Sequence, residues 1–165
     1  MIHKEYNTER LIVKPLSLED KNFIFTLLNT ENWLKYIGNR NIETINDAEK
    51  YINNLLSNPT SYAWVVSVKE LCIPVGIITF LKKSYLDDPD IGFAFLPQFM
   101  GNGYAFESVL RIIDGLVVNN IKTIAAVTVK ENLKSGALLN KLGFKPQKTL
   151  IQDNNELICY LYKSL

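Results

Sequence analysis

Apolar positions change their period along the chain, and each change marks an element. RLIVKP (10–15) reads as a first strand closed by Pro15. Ser17 then offers an N-cap, and Phe23, Ile24, Leu27 and Leu28 return at helical spacing. Trp33 to Ile37 form a short helix or a loop. Asn46, with Glu49 three residues on, has the form of a capping box. Ile45, Ala48, Ile52, Leu55 and Leu56 supply the apolar stripe of the helix that follows.

Strand patterns then take over, at YAWVVSVK (62–69), VGIITFLK (75–82) and DIGFAFL (90–96). The short ELCIP connection makes the first two an antiparallel pair. A helix over 102–119 carries Phe106, Val109, Leu110, Ile113, Leu116 and Val117 on one face. Thr123 to Val129 is apolar on both faces, as expected of a strand covered on either side. The helix at 133–142 has Asn132 before it and Gly143 after it, a cap at each end. Residues 144–150 and 156–163 complete a hairpin.

The order β-α-α-β-β-β-α-β-α-β-β predicts one mixed α/β domain over 1–165, with about seven strands in a mixed sheet and about four helices. Strand 90–96, helix 102–119 and strand 123–129 make a βαβ unit, which requires two parallel neighbours. No repeat or low-complexity linker divides the chain.

Composition narrows the function classes. Eighteen Lys and Arg against 17 Asp and Glu give a net charge of +1, so nothing favours a nucleic-acid partner. Cys72 and Cys159, both in apolar runs, read as reduced core thiols, without the spacing of a zinc site. No metal is expected. No apolar run approaches the roughly 18 residues of a membrane span, and the start lacks a hydrophobic signal core, so the expected location is cytoplasmic. His3, the only histidine, sits in a terminus expected to fray, and is a poor candidate base.

The candidate chemistry lies between strand and helix, in FLPQFMGNGYAFES (95–108). The first amides of a helix lack intrahelical partners, and the helix dipole is positive there. Gly101 and Gly103 allow positive φ, so a phosphate can approach the backbone. Nothing in 98–105 is cationic, so binding there would rest on amides and dipole. No Gly-Lys-Ser/Thr follows, which excludes a Walker loop, and Phe106 stands where the dinucleotide fingerprint needs glycine. Two glycines can also be plain turn chemistry.

Three features together resemble one family. Gln98-x-x-Gly101-x-Gly103-Tyr104-Ala105 is similar to the acetyl-CoA motif (Gln/Arg-x-x-Gly-x-Gly/Ala) of the GCN5-related N-acetyltransferases. Asn132-x-x-Ser135, followed by LLNKLGF ending at Phe144, resembles a second signature of that family, and TERLIVKPLSLED resembles its opening strand and helix. The segment IGFAFLPQFMGNGYAFES has the form seen in the subfamily that includes the ribosomal-protein N-terminal acetyltransferases.

The resemblance implies transfer of the acetyl group of acetyl-CoA, as cosubstrate, to a primary amine by direct attack. It implies that the backbone of Phe93, Ala94, Phe95 and Leu96 bonds the pantetheine arm, with an amide near Phe95 polarising the thioester carbonyl. Gln98, Met100, Gly101, Asn102, Gly103, Tyr104 and Ala105 would hold the pyrophosphate. Asn132 caps a helix, contacts the cofactor arm, or does both. Ser135 is either the donor to the leaving thiolate or a second cap residue. The tyrosine acid of many relatives is replaced by Leu139. Asp90 or Glu156 can serve as base, although acids flanking turns are often only solvated. Trp33 and Tyr36 are the candidate acceptor-site residues, with Ile37, Tyr62 and Tyr160 as further aromatic or apolar lining. The acceptor is left as a small amine or a peptide N-terminus, and the oligomeric state as monomer or homodimer. A different class, an acyl-CoA-binding regulatory module without turnover, needs the same cofactor motif.

Overall fold

The computed structural model describes residues 2–164. One eight-stranded sheet runs in the order β1-β2-β3-β4-β5-β6-β8-β7. Its strands are β1 (Tyr6–Asn7), β2 (Leu11–Pro15), β3 (Ser61–Val68), β4 (Ile73–Leu81), β5 (Asp90–Phe95), β6 (Thr123–Val129), β7 (Lys145–Gln152) and β8 (Asn155–Lys163). Five α-helices join them: α1 (Lys21–Leu28), α2 (Glu31–Tyr36), α3 (Ile45–Ser57), α4 (Tyr104–Val118) and α5 (Leu133–Lys141). The mixed α/β class stands, with one strand and one helix more than the sequence pattern predicts. The extra strand, β1, has two residues, too few to show alternation. The extra helix is α2, where Thr30 Oγ1 accepts the Trp33 amide and closes an N-cap.

Alternation along the central strands divides the core between two sheet faces. Trp64, Val66 and Val68 of β3 join Ile78 and Phe80 of β4 beneath α4 and α5, packed on Val109, Ile112, Ile113, Leu116 and Leu139. Ala63, Val65 and Ile77 point the other way, against Ile24, Leu27, Leu28, Trp33 and Ile52 of α1–α3. The second helix stripe holds at Ala48, Ile52 and Leu55, but Leu56 is exposed and the cap is not Asn46. Thr44 Oγ1 accepts the Asp47 amide at 3.2 Å, while Asp47 Oδ2 accepts the Thr44 amide at 2.9 Å. Thr44 is extended and Ile45 already helical, so the box closes two residues earlier. Glu49 instead meets Lys21 at 2.8 Å and ties α3 to α1.

On α4 the buried face is rotated from the predicted one. Leu110 is exposed, whereas Ile112 is buried along with the small residues Ser108 and Gly115. A hydrophobic stripe cannot register Ser108, whose hydroxyl is satisfied by the Tyr104 carbonyl at 2.7 Å. Cys159 is a buried thiol, but Cys72 is exposed in the β3–β4 turn at φ 53°. The N-terminus is docked rather than frayed: the His3 ring nitrogen lies 3.1 Å from the Ala63 carbonyl, and the ring sits edge-on to Trp64. No helix among the described residues is long and apolar enough to cross a membrane.

Candidate active site

Every strand pair is antiparallel except β5–β6, where a single parallel bridge joins Asp90 to Ala125. The Ala125 amide donates to the Pro89 carbonyl at 2.8 Å. Beyond that rung no further parallel pairing is formed, and the C-terminal parts of the two strands part. On its other side β5 stays in continuous register with β4, from Leu81↔Asp90 to Gly76↔Phe95. The Leu96 amide donates to the Val75 carbonyl at 2.8 Å, which sets the phase of that ladder. Gly92 and Ala94 turn their main-chain groups toward β4, so Phe93 and Phe95 turn theirs into the gap beside β6. Those two amides are the rungs that an extended ligand arm can use. The Phe95 side chain is core, packed on Gly76, where a Cβ would come within 2.4 Å of the ring.

At the open end of the gap, Leu96 leads through a single 3-10 turn at Pro97–Phe99 to the glycines. Gly101 and Gly103 both have positive φ, at 81° and 78°, and a Cβ on Gly101 would meet nothing within 4 Å. Backbone conformation, not crowding, therefore selects glycine at 101. Gly103 is the N-cap of α4 and brings no side-chain acceptor, which leaves the first helical amides available to an external anion. Gln98, Met100 and Asn102 are exposed around this turn, and Tyr104 and Ala105 half-buried at its base.

A cation reaches the loop from 92 positions away, which the sequence does not reveal. Arg10 Nη1 donates to the Asn102 carbonyl at 2.9 Å, and its guanidinium lies 4.8 Å from the Tyr104 ring centroid. The same side chain grips Glu107 through Nε and Nη2, both at 2.7 Å. Thr8 Oγ1 adds a bond to Glu107 at 2.5 Å. Burial works to raise the Glu107 pKa, but the bonds from Thr8 and Arg10 outweigh it and hold the carboxyl below its ordinary value. Only the TERL run at the start, with β2 adjoining the loop, carried a trace of this contact.

Asn132 and Ser135 lie past the end of β6. Asn132 Oδ1 accepts the Ser135 amide at 3.2 Å, so the capping role of Asn132 is realised. Ser135 is half-buried. A cleft lined by Thr128, Val129, Asn132, Leu133, Ile158 and Tyr160 opens at this end. Leu139 is buried in the core, as an apolar replacement there requires.

The two carboxylates differ in setting. Asp90 is not solvated: at 2% exposure its Oδ1 accepts the Val127 amide at 3.1 Å and its Oδ2 meets Lys83 Nζ at 2.8 Å. Burial pushes its pKa up, against the pull of Lys83. Glu156 is exposed and lies 3.5 Å from Lys130 Nζ. Trp33 is buried on the α1–α3 side of the sheet near Leu96, and its indole N–H is the buried side-chain donor left unpaired among the described residues. Tyr36 is half-buried on the same helix, and Ile37 exposed. Tyr62 and Tyr160 pack on the opposite sheet face, so the structure does not gather these aromatics into one pocket.

A split parallel pair beside a glycine turn at a helix N-terminus defines a class, and the comparisons agree. The family model for the acetyltransferase (GNAT) domain matches residues 10–145. A curated relative, the uncharacterized N-acetyltransferase YoaA of Bacillus subtilis (strain 168), is 27% identical over 152 residues, covering 88% of this chain and 85% of that one. The ribosomal-protein-S5-alanine acetyltransferase of Vibrio fischeri superposes with a TM-score of 0.82 at 17% identity, over 96% of each chain. The spermidine N-acetyltransferase of Vibrio cholerae, solved with CoA and spermine, gives 0.81 at 19% identity, over 94% of this chain and 96% of that one. The chain belongs to the GNAT acetyltransferase family. Its class is accordingly that of an acetyl-CoA-dependent N-acetyltransferase, with acetyl-CoA as cosubstrate.

Proposed function

We propose that this chain acetylates a primary amine carried by a single-amine acceptor, such as a peptide N-terminus, rather than a polyamine. The observation that carries the site is the β5–β6 split, with the Phe93 and Phe95 main chain turned into it. In this reading those amides hold the pantetheine arm, and the Phe95 N–H polarises the thioester carbonyl as charge develops on its oxygen. The amides from Gly101 to Ala105 take the pyrophosphate, with Arg10 fixing the loop and adding positive charge nearby. Ser135 stands at the rim as donor to the departing thiolate, which has an ordinary pKa of about 8.5 and needs little help. Asn132 keeps the helix that carries Ser135 in place.

Acceptor choice follows from charge. A polyamine is a string of cations and calls for unpaired carboxylates. Here buried Asp90 faces Lys83, and exposed Glu156 lies 3.5 Å from Lys130, so of the two only Glu156 is left to meet an amine. Of the two carboxylates, Glu156 is the one open to solvent, and proton removal from the incoming ammonium falls to it or to water.

The test is acetyl-CoA thiol release against a peptide panel varied at its first residue, with spermidine in parallel and CoA binding measured first by calorimetry. Turnover on peptides with spermidine inert is the expected result. Turnover on spermidine alone overturns the acceptor assignment. Tight CoA binding with no turnover on any amine makes the chain a binding module.

A further inference from the structure

A parallel ladder advances two residues per rung, so after the Ala125 amide binds the Pro89 carbonyl, the Val127 amide would next bind the Ile91 carbonyl. It does not. Its acceptor is Asp90 Oδ1 at 3.1 Å. We propose that Asp90 is the pin of the cofactor cleft, a positioning residue whose carboxylate takes the Val127 amide out of the ladder and so fixes the point where β5 and β6 part. The inference rests on the reading of that gap as the acetyl-CoA cleft.

A buried N–H at the fork of two strands must find a partner. With a main-chain partner, β6 would be drawn against β5 for one more rung, and the gap would shorten by about 6.6 Å, two residues of strand. With the side-chain partner the amide is satisfied and the strands are free to diverge. A carboxylate suits this place because it accepts on two oxygens, and Oδ2 is held by Lys83 Nζ at 2.8 Å. Lys83 follows β4 and lies 5.8 Å from the Tyr85 ring centroid. The connector beyond it is tied down too: Thr123 Oγ1 donates to the Asp88 carboxylate, and Lys82 to the Asp87 carbonyl. Both strands are thus anchored to one short strap, Lys82 to Asp90, at the closed end of the gap.

Removing a buried carboxylate strands the Lys83 charge, so the decisive comparison is made in a Lys83→Met background. There Asp90→Asn keeps an oxygen for the Val127 amide, and Asp90→Ala does not. The asparagine double variant is expected to bind CoA within about threefold of Lys83→Met alone, and the alanine double variant about tenfold or more weaker, with kcat at saturating acetyl-CoA changed less than KM. Equal CoA affinity in the two double variants overturns the proposal. Should the alanine variant not fold, hydrogen exchange on the unaltered protein without ligand decides: a slowly exchanging Val127 amide supports the pin, and a solvent-like rate removes it. Failure of the unaltered protein to bind CoA overturns the cleft reading itself, and the pin with it. Normal binding by the unaltered chain and by both double variants removes the pin alone.

Discussion

The two ends of the β5–β6 gap solve the same problem by opposite means. At the open end, the first helical amides are left without a side-chain cap, and this is done by omission: Gly101 and Gly103 have no side chain and Gly103 offers no cap. At the closed end an amide must not be left free, and a side chain, Asp90, is supplied to absorb it. Preparing a site by deletion leaves a mark in the sequence, because positive φ selects glycine within a few residues. Preparing it by capture leaves almost none, because Asp90, Val127 and Lys83 are brought together only by the sheet.

The comparison breaks most visibly at the glycines. Gly103→Val puts a β-branched residue at φ 78°, beside the Arg10 guanidinium that already lies 3.3 Å from the Cβ position. A strain of about 2 kcal/mol is expected to weaken CoA by about thirtyfold in calorimetry. An effect below threefold would mean the loop does not bind the phosphates in this conformation. Arg10→Ala comes next. It removes the Asn102 and Glu107 contacts and leaves Glu107 half-satisfied, for an expected loss of about fivefold in CoA affinity. Arg10→Lys is expected to recover little, since a point charge cannot replace the two-pronged grip.

The smallest effect sharpens the comparison through pH. Glu107 has a folded pKa held low by Thr8 and Arg10, so its stabilisation is fully present above the unfolded value of about 4.3 and is lost as pH falls through the folded one. Glu107→Gln is therefore expected to lower Tm by about 2 °C at pH 7. The gap to the unaltered protein should close as the pH drops below about 4. A difference that persists in acid would point to packing instead of charge.

Much of the frame was legible. The βαβ unit and the Asn132 and Gly143 caps of α5 rest on local rules, and all appear. What failed was set by distant partners. Arg10 meets Asn102 across 92 positions, so a loop without a cation in its own sequence still has one beside it. Asp90 follows a proline in a polar turn and reads as solvated, yet it is buried at the head of β5. Trp33 and Tyr62 are both aromatics near helix or strand starts, and only the sheet tells that they face opposite sides. Ser135 and Asn132, by contrast, lie three apart on one helix turn and were placed together correctly.

The exposed thiol of Cys72 has a practical consequence. It tips the β3–β4 turn, two residues from Glu70, which with Lys69, Arg10 and Tyr104 lines a recess next to the glycine loop. Any reagent that titrates free CoA will also consume one equivalent per chain there, while Cys159 stays shielded. The same exposure makes this position a ready attachment point for a fluorophore.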